Sequence, residues 1–188
     1  VYQALDINHE VIPILNKIDL PASDIEKTKK EIEDVVGIDT SNAIACSGKT
    51  GEGVDEILEA IVNNLPAPKG VKEEKLKSLL VDSWYDSYLG VVILVRVING
   101  KIEKNLKVRL MSNNQEYIVE KVGVFTPKPT DIKELNSGEI GFIITGIKSL
   151  SETKVGDTIC DANNPIDTPL PGFKPSKPVV FCGLFPVD

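Results

Sequence analysis

The amino-acid sequence predicts two folded units of different class, an α/β unit followed by a small all-β unit. Over residues 10–62, short apolar runs alternate with amphipathic helical patterns, which is typical of a parallel sheet covered by helices. From Leu79 onward, short strands rich in Val and Ile recur roughly every ten residues between Gly and Asn turns, which favours a small barrel or sandwich. Pro66-Ala-Pro68 separates the two patterns.

Two strand–helix repeats make up the predicted α/β unit. The apolar run over residues 10–15 predicts a buried strand, and Ser23-Asp-Ile-Glu26 predicts a capping box that starts a helix ending at Gly37. Residues 43–46 predict the second strand. From Val54, apolar residues recur at i, i+3, i+4, i+7 and i+8, which predicts a second amphipathic helix.

The all-β unit is predicted from a series of short strands. They cover residues 91–98, 106–111, 116–125, 140–147 and 155–160. Asn99-Gly100 is a strong hairpin signal. A proline-rich segment follows, and the apolar run Val179–Leu184 predicts one further strand. We therefore expect an α/β unit over 1–67, a linker over 68–78, a β-barrel over 79–162, a second linker over 163–177, and the start of a third unit over 178–188.

Charge and cysteine content narrow the class of protein. The net charge is −7, and residues 1–70 hold 6 lysines against 13 acidic residues, so the imbalance lies in the α/β unit while the β half is neutral. Cys46, Cys160 and Cys182 form no C-x-x-C pair, which favours reduced thiols over a zinc site or disulfide framework. The longest apolar run, Val91–Val95, is far shorter than the ~20 residues of a membrane span. Because Val1 lies in what reads as mid-helix, we expect both ends to be cuts.

The first candidate binding loop is Asn16-Lys17-Ile18-Asp19, which follows the first predicted strand. Ligands bind at the carboxyl ends of strands in an open α/β sheet. A carboxylate there can accept two parallel N–H bonds, which guanine offers from its ring N1–H and exocyclic amine, whereas adenine presents a ring acceptor. We therefore predict that Asp19 reads guanine, that Asn16 ties neighbouring loops together, and that the stem of Lys17 packs on the face of the base.

The second candidate loop is Ser47-Gly48-Lys49, which follows the next strand and should lie beside the first loop at the same sheet edge. A backbone N–H of this loop can donate to the guanine oxygen, and the Ser47 hydroxyl can support Asp19. Two loops that converge on one base are more specific than either alone. The sequence therefore predicts a guanine site, against the alternative of two ordinary polar loops.

A phosphate-binding loop is rejected at Gly48-Lys49-Thr50. The motif G-x-x-x-x-G-K-[ST] needs glycine where Ala43 stands, and it needs a helix directly after the lysine. Here Gly51 and Gly53 intervene before the helix at Val54. The sequence contains no other match to this motif, and phosphoryl transfer depends on a phosphate cradle and a metal ion. We therefore assign no catalytic and no metal-binding residue in this chain.

These motifs resemble the two base-reading boxes of translational GTPases, and the wider sequence is similar to the LepA (elongation factor 4) family. The similarity covers essentially the whole chain, and the string Asp82–Tyr88 is its most specific part. It includes the following further segments: Asn16–Pro21, Val36–Asp39, Lys49–Asp55, Gly123–Lys128, Val155–Thr158, Pro169–Phe173 and Phe185–Asp188. Two departures from the family pattern are Gly48, where alanine is usual, and Asn105-Leu106, where Gly-Asp is usual.

The resemblance implies a P-loop-NTPase-like partial sheet over 1–67, the translation-factor β-barrel called domain II, and the first strand of domain III near the end of the chain. It implies a parent protein that hydrolyses GTP on elongating ribosomes, with back-translocation or fidelity as its role. GTP or GDP is the implied nucleotide, and the Mg²⁺ ligands and catalytic residues would lie outside this sequence. For the parent, the resemblance implies binding to ribosomal RNA and proteins and to tRNA-bearing complexes. It implies a cytoplasmic location, with a peripheral location at the inner membrane face as the alternative.

Several alternatives remain at this stage. The chain could be a non-catalytic ribosome-binding module, or part of a translational GTPase related to elongation factor G. The aromatic residues Trp84, Tyr85 and Tyr88 could stack on RNA, although packing within the barrel is favoured. We also expect an exposed sheet edge in the first unit, which would cause self-association or local disorder, and we expect the isolated chain to be inactive as an enzyme.

Overall fold

The computed structural model describes residues 1–172 and 181–186, and the chain divides into two compact units. The N-terminal unit is Val1–Ala67 and the C-terminal unit is Pro68–Asp188. No helix within the described ranges is long and apolar enough to cross a membrane.

The N-terminal unit is a two-stranded parallel sheet with three helices. Its elements in chain order are α1 (Tyr2–Leu5), β1 (Ile14–Leu15), α2 (Ile25–Val36), β2 (Ile44–Ala45) and α3 (Val54–Asn64). β1 pairs with β2 in parallel, with Ile14 opposite Ile44. The buried side chains of Leu15 and Cys46 lie at the carboxyl ends of these two strands. This strand–helix–strand–helix order is the predicted one.

The start of α2 differs from the predicted capping box. The N-cap is Asp24, whose side chain accepts the backbone N–H of Lys27 at 3.0 Å, and Ser23 lies outside the helix. Asp and Ser cap equally well, so the spacing of Ser23 and Glu26 alone did not decide between them. The predicted end is confirmed, because Gly37 is the C-cap with φ +75°, the left-handed conformation that glycine adopts without strain.

The C-terminal unit is an antiparallel β structure. Its strands are β3 (Lys77–Asp86), β4 (Gly90–Asn99), β5 (Lys101–Glu103), β6 (Lys107–Leu110), β7 (Glu116–Ile118), β8 (Lys121–Phe125), β9 (Pro129–Asp131), β10 (Glu134–Asn136), β11 (Ile140–Ile144) and β12 (Thr158–Asp161). Eight of them form one sheet in the order β7-β6-β12-β3-β4-β11-β8-β9, and β5 pairs with β10. A register shift between Leu80 and Asp82 marks a bulge in β3.

The larger of two apolar clusters forms the main core of this unit, and a smaller cluster contains Val92, Phe142 and Ile144. The sheet contributes fully buried residues such as Leu80, Val95 and Ile143, and the β5–β10 pair contributes Ile102 and Leu135, all 0 % exposed. The short pair therefore covers a side of the core that the large sheet leaves open. The predicted fold class, a parallel α/β unit followed by a small barrel-like β unit, is confirmed.

Three details of the β unit were not as predicted. The single strand expected over 116–125 is two strands, β7 and β8, which pair with different neighbours. Asn99-Gly100 forms a turn but no hairpin, because β5 pairs with β10 rather than with β4. The sheet also begins at Lys77, so the last two residues of the predicted linker lie in β3.

The predicted aromatic cluster divides between packing and exposure. The Trp84 ring lies 6.0 Å from that of Phe125, which lies 5.0 Å from that of Phe142, so Trp84 packs on the sheet. Tyr85 and Tyr88 are 61 % and 93 % exposed. The prediction that these aromatic residues pack within the β unit is therefore confirmed for Trp84 and wrong for Tyr85 and Tyr88.

The strand predicted over Val179–Leu184 lies only partly within the residues that the structure describes. Residues 173–180 and 187–188, which hold part of the predicted third unit and part of the second linker, lie outside the described residues. Residues 181–186 are described and are not in a strand, so the strand predicted over Val179–Leu184 is wrong for residues 181–184.

Candidate functional site

The two predicted loops meet at the carboxyl end of the parallel sheet. Backbone bonds join them, since the Cys46 N–H donates to the Leu15 carbonyl at 2.9 Å and the Ile18 N–H donates to the Cys46 carbonyl at 3.2 Å. Parallel pairing places both strand ends at one edge, so the polar residues that follow each strand converge. The structure therefore brings the Asn16–Asp19 loop and the Ser47–Lys49 loop together.

The carboxylate of Asp19 is held by Ser47. The Ser47 hydroxyl donates to Asp19 Oδ1 at 2.7 Å and accepts the backbone N–H of Thr50 at 3.1 Å. Because the hydroxyl oxygen accepts the hydrogen bond from the Thr50 N–H, its own hydrogen is directed to the carboxylate. Ser47 is fully buried and Asp19 is half-buried. The buried hydroxyl therefore holds one oxygen of the carboxylate, while the carboxylate itself lies at the surface of the pocket.

The side chain of Asn16 joins the two loops. Its Oδ1 accepts the backbone N–H of Lys17 at 2.7 Å and that of Gly48 at 3.1 Å, and the Cys46 thiol lies 3.7 Å from the same oxygen. Convergent donors identify the inward atom as the oxygen rather than the nitrogen. The bond to Gly48 is the cross-loop contact that the sequence predicted for Asn16.

A surface pocket of about 340 Å³ lies between the loops. It is lined by Asn16, Lys17, Asp19, Leu20, Gly48 and Lys49. Lys17 has φ +70°, a left-handed conformation that is uncommon outside glycine, and its N–H bond to Asn16 holds it there. Five of the six predicted binding residues therefore line one pocket, and the sixth, Ser47, lies behind it.

Sequence reasoning overlooked two contributors to this site. Leu20 adds an apolar wall, and an apolar residue directly after Asp19 was the available signal in the sequence. Thr50 acts only through its backbone N–H, which carries no signal in the side-chain sequence.

The Gly48-Lys49-Thr50 segment does not form a phosphate cradle. α3 begins at Val54 with Gly53 as its N-cap, so no helix N-terminus directly follows Lys49. The loop folds onto itself instead, because the Gly51 N–H donates to the Ser47 carbonyl and the Ser47 N–H to the Glu52 carbonyl, both at 2.8 Å. Within residues 1–172 and 181–186, no group of three acidic, Cys or His side chains could hold a metal ion.

Both units contain a segment that matches a known protein family. Residues 1–67 match the elongation factor Tu GTP binding domain, and residues 90–160 match elongation factor Tu domain 2. The N-terminal unit is therefore similar to the GTP-binding domain of elongation factor Tu, and the larger part of the C-terminal unit is similar to its domain 2. This confirms the predicted relationship to translational GTPases at the level of the domains, while the LepA branch stays a prediction.

Two solved structures are similar to this chain in fold. Translation elongation factor SelB from Methanococcus maripaludis, in its apo form, matches with a TM-score of 0.66 and 17 % identity over 86 % of this chain and 36 % of that chain. The same protein in complex with the GTP analogue GppNHp matches with a TM-score of 0.63 and 20 % identity over 81 % and 35 %. At this identity the likeness concerns the fold alone, and the chain spans about a third of the length of these structures.

Proposed function

We propose that the pocket between the two loops reads the guanine base of GTP or GDP. The observation that supports this most strongly is the relay from Thr50 N–H to the Ser47 hydroxyl to Asp19 Oδ1. A carboxylate has lone pairs on two oxygens, so one bond from Ser47 leaves capacity for two ligand N–H groups. Guanine supplies such a pair from N1–H and its amine.

The other pocket residues have separate roles in this proposal. The stem of Lys17 and the side chain of Leu20 supply apolar contact for the purine ring. The faces of this ring carry no hydrogen-bonding groups, so covering them is favourable. The backbone N–H of Gly48 is the predicted donor to the guanine oxygen. Since this N–H donates to Asn16 Oδ1 at 3.1 Å, base binding has to share or exchange that bond.

Base selectivity follows from which hydrogen bonds each purine can form. Inosine keeps N1–H but lacks the exocyclic amine, so it loses one bond to the Asp19 carboxylate. Adenine presents a ring acceptor to the carboxylate and is repelled. A hydrogen bond to a charged group contributes about 1.5–3 kcal/mol, so we expect affinity to fall in the order GDP, IDP, ADP by at least about tenfold per step.

Titration by ¹⁵N NMR tests the proposal, because it detects binding in the millimolar range. GDP should shift the amide signals of the two loops at concentrations where ADP does not. Equal shifts with GDP and ADP, or shifts confined to the C-terminal unit, would contradict guanine reading.

For the intact protein we propose a LepA-type translational GTPase. The sequence motifs support this branch, above all Asp82–Tyr88, and the two domain matches support the class. GTP hydrolysis with Mg²⁺ would then use residues outside this sequence. The similarity in fold to SelB favours another translational GTPase as the second candidate.

The proposed partner of the β unit is the ribosome, with tRNA-bearing complexes as partners of the intact protein. Several lysines that could contact RNA phosphate are already paired with acids, among them Lys101, Lys107 and Lys121. Contact through these side chains would compete with their ion pairs. We propose a cytoplasmic location, with contact at the inner membrane face as a further property of the intact protein.

A GTPase assay separates the enzyme from a non-catalytic binding module. The isolated chain should show no turnover above background with ribosomes, because its guanine pocket has no phosphate cradle beside it in the described residues. An intact protein that hydrolyses GTP only with ribosomes supports the enzyme, whereas ribosome binding without turnover favours the module.

A further inference from the structure

We propose that Cys46 is a positioning residue of the guanine pocket, acting through its thiol on the carboxamide of Asn16. This proposal rests on the proposed function of that pocket. Neither the base-reading motifs nor the domain matches assign a role to this side chain.

The backbone of Cys46 fixes where its side chain lies. Its N–H donates to the Leu15 carbonyl and its carbonyl accepts the Ile18 N–H, so the residue is locked between the end of β1 and the first binding loop. Gly53 packs closely against it, since a Cβ added at Gly53 would come within 3.0 Å of both Cys46 Cα and Cβ. The thiol therefore has a fixed place behind the pocket.

The thiol is directed at an atom that binding depends on. Cys46 is 4 % exposed, and its Sγ lies 3.7 Å from Asn16 Oδ1, within the distance of a sulfur hydrogen bond. Two backbone N–H groups donate to the same oxygen, so the thiol is a third donor. A thiol is a weak donor, but here it compensates an oxygen whose bond to Gly48 must be shared when a base binds.

This role distinguishes Cys46 from an ordinary buried apolar residue. Without the third donor, only the two backbone N–H groups hold the orientation of the Asn16 carboxamide. The carboxamide then rotates more freely about its Cβ–Cγ bond, and its amide nitrogen is less firmly directed into the pocket. Losing one weak hydrogen bond corresponds to about a two- to fivefold change in an equilibrium constant. We therefore expect weaker GDP binding rather than loss of the fold.

The matched pair Cys46→Ser and Cys46→Ala tests the role, because the two side chains have nearly the same volume and differ by one hydroxyl donor. Cys46→Ala should weaken GDP binding about two- to fivefold relative to Cys46→Ser, with the serine variant close to the unmodified protein. Cys160→Ala, which changes a buried thiol of the C-terminal unit, is the control and should leave binding unchanged.

The side-chain NH₂ signals of Asn16 provide a readout that needs no nucleotide. In Cys46→Ser the two amide protons should keep separate, slowly exchanging signals, and in Cys46→Ala they should broaden or shift. Equal Asn16 signals and equal GDP affinity in the two variants would overturn the positioning role. If the unmodified protein does not prefer GDP to ADP, the proposed function fails, while the Asn16 signals still decide whether Cys46 positions that side chain.

Discussion

The three glycines between β2 and α3 (Gly48, Gly51 and Gly53) face different surroundings, although the sequence presents them as one flexible segment. Gly48 has an ordinary backbone conformation, and a Cβ there would lie 3.8 Å from Asn16 Oδ1, in normal contact. Gly51 has φ +87° in open space. Gly53 has φ +75°, and its Cβ would lie 2.2 Å from the Ala45 carbonyl oxygen. Gly51 and Gly53 are thus required for their left-handed backbone conformation, and Gly53 is also required because there is no room for a side chain.

Alanine substitutions at these positions should therefore rank in one order. Gly48→Ala should be neutral or stabilise by up to about 1 kcal/mol, because alanine restricts the unfolded chain. Gly51→Ala should cost about 1–2 kcal/mol for the left-handed conformation, and Gly53→Ala about 3 kcal/mol or more, since the backbone of β2 has to move. Urea unfolding of the N-terminal unit measures the series, and a Gly53→Ala variant no less stable than Gly51→Ala would contradict it.

The hydrogen bonds around Asp19 show which parts of the site the sequence can predict and which it cannot. Asn16, Asp19 and Ser47 were predictable because their side chains form the bonds, and a strand–loop pattern places them at one edge. The direction of the Ser47 hydroxyl was not predictable, because it is set by the backbone N–H of Thr50. The same limit applies to the Cys46 thiol, which the sequence presents as a small buried apolar residue.

At the scale of single elements, the cap of α2 offers a direct stability test. Asp24→Ala should destabilise the N-terminal unit by about 1 kcal/mol, because the N–H of Lys27 loses its acceptor. The neighbouring Ser23→Ala is the matched control and should change the free energy of unfolding by less than about 0.5 kcal/mol. The reverse ranking in thermal unfolding would show that Ser23 is the cap.

The β6–β7 pair carries an acid-sensitive ion cluster. Lys107, and next to it Arg109, hold the pKa of Glu116 below its ordinary value of 4.5, with contacts of 2.7 and 2.6 Å. A lowered carboxyl pKa contributes stability above the unfolded-state pKa, and this contribution is lost as pH falls through the folded-state pKa.

Glu116→Gln should therefore flatten the loss of stability between pH 5 and the acid range, with little effect on its slope above neutral pH. Denaturant unfolding at a series of pH values measures this slope. Because the cluster is exposed, 1 M salt should reduce the difference between the two proteins. Parallel pH curves at low salt would contradict the ion cluster as the cause.

Strand boundaries were the least predictable elements, for a physical reason visible at Val119. Residues 116–125 read as one strand because they are rich in Val, Ile and aromatic residues, but Val119 is fully buried and bonds through its backbone to Asn105 and Leu106. The next N–H, of Glu120, donates to the Ile144 carbonyl. The chain thus passes from one neighbouring strand to another, a change of partner that local periodicity does not encode. The three-residue strands β5, β9 and β10 are too short to produce a periodic pattern.

At the scale of the whole molecule, the two units differ in how much apolar surface they bury. Neither α2 nor α3 contains a buried residue, and Val35, Leu58 and Val62 are 74 %, 56 % and 76 % exposed. The C-terminal unit has a continuous core of fully buried residues.

The acidic imbalance of the chain also lies in the N-terminal unit, so the net charge of −7 says little about how the β unit contacts RNA.

We therefore expect amide hydrogen exchange to be faster in residues 1–67 than in β3, β4 and β11, which serve as internal standards in the same sample. Local opening free energy follows the density of buried contacts. The exposed edge of β1 and the apolar helix faces should also produce concentration-dependent association. A monomer at all concentrations, with equally protected amides in both units, would contradict this expectation.

The most direct test of guanine reading exchanges the hydrogen-bonding pattern of Asp19. In Asp19→Asn, one of the two acceptors becomes an N–H donor, which suits xanthine because it has a carbonyl in place of the guanine amine. We predict that the unmodified chain binds GDP in preference to XDP, and that Asp19→Asn reverses this preference by at least about tenfold in the ratio of dissociation constants. A variant that still prefers GDP would show that Asp19 does not read the base.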